Sequence, residues 1–261
     1  NCNFENITGD RNGAAINYEA PEEQLIIEGT TFKNVYTKST NARTQSSGGA
    51  IYIKTTTSTY PISIVDCVFE NTYAKTSGNA IQLDESSDSP SFLIQNCTFT
   101  NCMHGSLGSQ YVIVSTINDL SVVDSKIIFD DNSNPACAGI KASKFINCKI
   151  TNVDFSKCDK SYALYLDQGN QGQSGLCHIE GCIFDTVNNW FNIILVTHDF
   201  VFTDNKMSNR VYDENSDYFG KISFASNIEN VQIVRATFSE NLCDRLYGGG
   251  IGLMITKANK V

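Results

Sequence analysis

One short phrase recurs through this chain at a period of about thirty residues, the signature of a repeat architecture. Cys-x-Phe-x-Asn stands at Cys2, Phe4 and Asn6, at Cys67, Phe69 and Asn71, and at Cys97, Phe99 and Asn101. Looser copies place Phe32 with Asn34, Ile150 with Asn152, and then Phe184, Met207 and Phe238; Ile127 in "SKIIF" is the faintest. A β-branched burst such as "ISIVD", "FLIQN" or "FVFTD" precedes most copies, and "GAAI", "GGAI", "GNAI", "YALYL" or "GGGIGL" follows.

The bursts alternate apolar and polar with period two, as in Ile51 and Ile53, Ile62 and Ile64, then Cys67 and Phe69. That is strand periodicity, and no segment sustains the three-and-four spacing of an amphipathic helix. One coil of three short strands cannot bury its apolar side alone, so successive coils must stack like on like. The expected fold is all-β: a right-handed parallel β-helix of about eight to nine coils with three short strands per coil, covering 1–261 as a single domain. Expected inward residues are Ile51, Ile53, Ile62, Ile64, Cys67 and Phe69 in one coil, and Ile81, Leu83, Leu93, Cys97 and Phe99 in the next. The alternation slips at Asp66 and Asn96, where the chain should bend. Asn6, Asn34, Asn71 and Asn101 stand where an amide tolerates left-handed backbone.

The pairing of "GGAI" (Gly48, Gly49, Ala50 and Ile51) with repeated Cys-x-Phe-x-Asn resembles the polymorphic outer-membrane protein repeats of chlamydiae and related surface-protein repeats of protists. The resemblance runs along nearly the whole chain. In that family the repeats are Gly-Gly-Ala plus an aliphatic residue and Phe-x-x-Asn, a spacing found here from Phe238 to Asn241. It implies a β-helical part of an adhesin exposed at a cell surface.

A formal charge of -9 spread along 261 residues argues against nucleic acid and anionic membrane surfaces as partners. No apolar run approaches the roughly 20 residues that cross a bilayer, so membrane insertion by this segment is not expected. The opening "NCNFENITGD" has no charged leader, so any export signal or anchor is expected outside this stretch. The chain starts within a third strand and stops soon after a first strand, so a segment of a longer β-helix, open to end-to-end stacking, is expected.

Of ten cysteines, Cys2, Cys67, Cys97, Cys148 and Cys182 occupy one inward slot, two residues before the apolar anchor. Cys102, Cys137, Cys158, Cys177 and Cys243 do not. No Cys-x-x-Cys occurs, and His104, His178 and His198 keep no ligand spacing with the cysteines, so neither metal nor cofactor is expected. A ladder of buried thiols is the leading reading, and disulfides such as Cys67 to Cys97 the alternative in a secreted protein. Asn6-Ile7-Thr8 and Asn96-Cys97-Thr98 are glycosylation sequons; Asn6 is the candidate, since Asn96 should be half buried at its bend.

Three functional classes fit such a stem. The first is a non-catalytic extracellular or cell-surface module, adhesive toward a protein or glycan of a host or neighbouring cell. The second is a carbohydrate-active enzyme or carbohydrate-binding module, and the third a structural filament component. The outward ladder beside the "GGAI" strand supplies the candidate ligand-binding residues: Tyr52 and Lys54, Gln82 and Asp84, Tyr165 and Asp167, preceded by Asn17 and Glu19. Asp84 and Asp167 fall three coils apart, roughly 14 Å at strand spacing. Paired glycosidase carboxylates need about 5–9.5 Å, so no catalytic residue is assigned. Asp130, Asp131, Glu85 and Asp88 read as solvated loop acids. Recognition is expected in the interrupting loops, 36–47, 55–60, 84–91, 130–138, 168–174 and 210–218.

Overall fold

Alternating β-branched and aromatic residues favour extended backbone, and short strands form where they occur. In a computed structural model of the chain the strands line up as three parallel sheets. The structure describes residues 1–19, 23–38, 46–55, 60–85, 91–102, 111–129, 138–157, 162–169, 175–187, 189–196, 199–209, 220–224, 230–241 and 251–255. One coil reads Ile51–Thr55 in the first sheet, Ile62–Val65 in the second and Val68–Glu70 in the third. The next repeats it as Ile81–Glu85, Ser91–Gln95 and Thr98–Thr100. The first sheet stacks nine strands, the second eight and the third nine, with Tyr73–Ala74 added beside Thr31–Thr37. No helix occurs among the described residues. The fold is an all-β parallel β-helix with three strands per coil.

Register makes like meet like. The third sheet aligns Phe4, Phe32, Phe69, Phe99, Ile127, Phe155, Phe184, Met207 and Phe238 in one inward column. Neighbouring phenylalanine rings stack at centroid distances of 4.7–5.2 Å and within 10° of parallel. That is the spacing of the strands themselves, about 4.8 Å. Ile27, Ile64, Ile94, Val122, Ile150 and Ile179 form the matching column of the second sheet. Ile16, Ile51, Ile81, Ile113, Ile140 and Leu164 form that of the first. The three columns meet in a continuous core of buried residues.

Between the second and third strands the chain turns on a single residue of positive φ, a conformation that costs least in Gly, which has no β-carbon, and little in Asn and Asp. Gly29, Asp66, Asn96, Asp124, Asn152, Gly181 and Asp204 hold it, with φ from 51° to 63°. Their side chains bond along the stack: Asn96 Nδ2 donates to Asp66 Oδ1 at 2.6 Å, and Asn152 Nδ2 to Asp124 Oδ1 at 2.9 Å. A second left-handed column closes the third strand at Asn6, Asn34, Asn71 and Asn101. There Asn34 Nδ2 donates to Asn6 Oδ1 and Asn71 Nδ2 to Asn34 Oδ1, at 3.0 and 3.2 Å.

Four expectations change. Leu93 faces outward: its strand pairs Phe92 with Ile62 and Ile94 with Ile64, so Phe92 and Ile94 take the core. In a run of three apolar residues only the partner strand decides the face. The strand of Cys148 and Ile150 belongs to the second sheet, paired with Leu120 and Val122, and the anchor of that coil is Phe155. Asn152 therefore marks the bend after the second strand. Gln82 points outward yet is buried, as is Tyr52. Asn96 is exposed rather than half buried.

Truncating a stacked ring should open a cavity between rungs. Phe69→Ala or Phe99→Ala is expected to cost about 3–5 kcal/mol in urea titrations. Val68→Thr, on the same strand but 40% exposed, should change stability by less than about 0.5 kcal/mol. Equal losses at Val68 and Phe69 would show that the inward assignment is wrong.

Candidate functional site

The first sheet begins each early coil with a glycine turn, and the glycines are there for space. Gly48 has φ +65°, and a β-carbon on it would lie 2.1 Å from the Ile51 carbonyl oxygen; one on Gly49 would lie 2.0 Å from that of Asn79. Gly13 and Gly78 repeat the Gly48 geometry one coil before and after, their β-carbons meeting the carbonyls of Ile16 and Ile81. Gly48 N–H donates to Ser77 O and Gly49 N–H to Gly78 O, both at 2.9 Å. Only glycine admits so close a backbone approach. The turn delivers the strand in a fixed register, with Tyr52 and Lys54 facing outward.

Two outward columns result. One runs Asn17, Tyr52, Gln82, Val114, Lys141, Tyr165, Asn192 and Lys221. Beside it, Glu19, Lys54 and Asp84 are in register in the early coils, and Ser143, Asp167, Ile194 and Ser223 in the later ones. The two halves of this face differ in character.

Around Tyr52 the polar groups satisfy one another. Gln82 Nε2 donates to Asp84 Oδ1 and Ser77 Oγ to Gln82 Oε1, both at 2.5 Å, while Ser47 Oγ lies 3.1 Å from Ser77 Oγ. Burial first, then the charge of Asp84 and a hydrogen bond to it, push the Tyr52 phenol well above its ordinary value. Lys54 is the strand partner of Asp84, but the described ion pairs do not join them. This is a closed network under cover, suited to holding two coils together.

Around Tyr165 the face is open and aromatic. Lys141 Nζ stands 5.9 Å from the Tyr111 ring centroid and 5.4 Å from that of Tyr165. Tyr111 and Tyr165 are 6.2 Å apart at 62°, and Tyr162 lies 6.2 Å from Tyr165 at 53°. All four side chains are partly exposed. Burial, followed by the nearby Asp167 and Tyr162, raises the Tyr165 phenol; burial alone raises that of Tyr162. Asp167 Oδ1 accepts the Gly169 N–H at 3.1 Å, so its carboxylate serves a turn. Asp84 and Asp167 sit three rungs apart in the sheet, with the strands of Tyr111 and Lys141 between them.

Cys67, Cys97, Cys102, Cys148, Cys177 and Cys182 are free and buried, and Cys2 is free and exposed. Cys67 and Cys97 share the inward slot ahead of their phenylalanines, each donating S–H to a carbonyl two residues back, Val65 O at 3.2 Å and Gln95 O at 3.3 Å. Cys148 instead stands in register with Cys177 in the second sheet. Asn6 is exposed; its Oδ1 accepts from Asn34, which leaves Nδ2, the atom a glycan would use, out of that bond. At Asn96 the equivalent nitrogen is held by Asp66.

Tyr111, Lys141 and Tyr162 were not legible as site residues, because "YVIVS" and "AGIKAS" lack the glycine mark of the earlier strands. Lys141 is in register with Tyr165, and Tyr111 with Ala138 three residues before Lys141, so the cluster emerges only from the pairing. Most of each expected recognition loop lies outside the described residues, as do His104, His198, Cys137, Cys158 and Cys243. No family model, no curated protein and no solved structure matches the chain.

The buried acids of weak strength set an alkaline limit. Burial raises Cys102 to about 11 and Cys148 and Cys182 to about 12, and lifts Cys177 well above its ordinary value. Each folded value exceeds the unfolded one, about 8.5 for a thiol and 10 for tyrosine. The native state therefore holds these protons more tightly, and its stability falls as pH rises past the unfolded values. The urea midpoint should stay level from about pH 6 to 8 and drop steadily from about pH 8.5 to 11, with a shallower drop in Cys148→Val/Cys177→Val. A level midpoint to pH 11 would contradict the burial of these groups.

Proposed function

We propose that this chain is a non-catalytic recognition module of the extracellular space or cell surface, an adhesive stem whose partner is a protein or glycan of a host or neighbouring cell. The observation that carries the reading is the outward face of the first sheet. It presents aromatic and polar side chains on a rigid ladder, while Asp84 is engaged by Gln82 and Tyr52 and Asp167 lies three rungs away. Two carboxylates at roughly 14 Å do not make a glycosidase pair. The likeness of the Gly-Gly-Ala-Ile and Phe-x-Asn repeats to chlamydial polymorphic outer-membrane proteins and related protist surface proteins supports the same reading, because those repeats build adhesins. Fold alone would not carry it, since β-helices host several chemistries.

The test is to apply the labelled full chain to a broad glycan array and to cultured cells, and to assay the bound glycans for released fragments. Saturable binding to either surface without fragment release is expected. Release of fragments would make the protein an enzyme, and absence of binding to every surface would remove the adhesive reading.

A further inference from the structure

We propose that Tyr111, Lys141, Tyr162 and Tyr165 form the binding site for a carboxylated sugar residue of an acidic saccharide. The proposal rests on the recognition-module reading and names its ligand class. Tyr111 and Tyr165 come from strands two rungs apart, about 9.6 Å at strand spacing. Their ring centroids are nevertheless 6.2 Å apart, so the rings lean together over the intervening rung, that of Lys141. The ammonium meets both rings at 5.4–5.9 Å. Two cation–π contacts thus restrict a side chain that is otherwise among the most mobile.

Such a lysine is a prepared anion receptor. Its rotamer freedom is already reduced, so less entropy is lost on binding, and its N–H groups can make charge-assisted hydrogen bonds to a carboxylate. Around it the chemistry is amphipathic, and the Asp167 carboxylate near Tyr165 accepts the Gly169 N–H at 3.1 Å. Three tyrosines offer ring faces to the C–H side of a sugar and phenols to its hydroxyls. One rung beyond Tyr165, Asn192 Oδ1 is buried and has no hydrogen-bond partner, an acceptor that a donor from a bound ligand would satisfy. A polyol supplies such donors beside a carboxylate, whereas an acidic peptide side chain brings acceptors only. The contrast with the other half of the face sharpens the assignment. Tyr52, Gln82, Asp84 and Ser77 are closed upon one another, and on the third sheet the rings of Tyr36 and Tyr73, tilted at 34°, lie only 4.6 Å apart beside Lys38.

Isothermal titration calorimetry of the full chain with trigalacturonate and with 3′-sialyllactose, each against its methyl ester, tests the site directly. At least one acid should bind, with its ester weaker by about tenfold. Lys141→Gln and Tyr165→Ala should weaken the acid by a similar factor, while Lys126→Gln on the third sheet leaves it unchanged. Circular dichroism checks that the variants are folded, and the ester comparison in the unaltered chain stands if they are not. Equal affinity for acid and ester, binding indifferent to Lys141, or binding of tetraglutamate in preference to both sugars would overturn the assignment. If the chain still binds cells or neutral glycans in those cases, the module reading survives without this site. If it binds no surface at all, both fall.

Discussion

Parallel strands in one sheet lie about 4.8 Å apart, and every part of this molecule answers to that distance. It is the contact distance of two offset aromatic rings, so phenylalanines of successive coils stack ring on ring along the third sheet. The same interval lets an asparagine amide reach the carboxamide or carboxylate one coil away, as Asn71 reaches Asn34 and Asn96 reaches Asp66. A coil that broke register by one residue would turn its whole apolar set toward solvent. Repetition in the sequence is thus a physical requirement of the stack.

The constraint is tight at the bends and looser in the columns. Where φ must be positive, the chain returns mostly to Gly, Asn and Asp, with Lys144, Lys157, Thr186, Arg235 and Glu240 as exceptions that accept strain. In the columns volume is conserved by compensation between neighbours. Gly220 follows Phe191 in the first sheet, and a β-carbon there would lie 2.5 Å from the Phe191 ring, which already occupies the space. Ile127 and Met207 replace phenylalanine in the anchor column and remain fully buried.

These two levels of tolerance explain what the sequence revealed. Strict positions were legible: the anchors Phe69 and Phe99, the bends at Asp66 and Asn96, and the alternation that sets Tyr52 and Tyr165 on one face. Ambiguity arose where two bends use the same residue types. Asn152 closes a second strand but reads like Asn71 or Asn101, which close third strands, and so drew Cys148 and Ile150 into the wrong sheet. Leu93 was unreadable for another reason, since "FLI" is apolar on both faces and only Ile62 and Ile64 across the ladder choose between them. The Tyr111–Lys141–Tyr165 cluster joins three coils, and residues that meet only through pairing carry no linear signal.

Function on such a scaffold belongs to side chains that the stack does not need. The early coils use their outward polar groups to tie rungs together, while the later coils leave tyrosines and a lysine facing out, so the register itself is the foundation of both. Spin labels on unnatural amino acids at Val68 and Lys206 would measure it. Those positions lie in one outward column of the third sheet, five steps apart through Thr98, Lys126, Asp154 and Ile183. Pulsed electron resonance should return a single narrow distribution near 24 Å, five strand spacings. A broad distribution, or a peak displaced by more than one spacing of about 5 Å, would contradict in-register stacking.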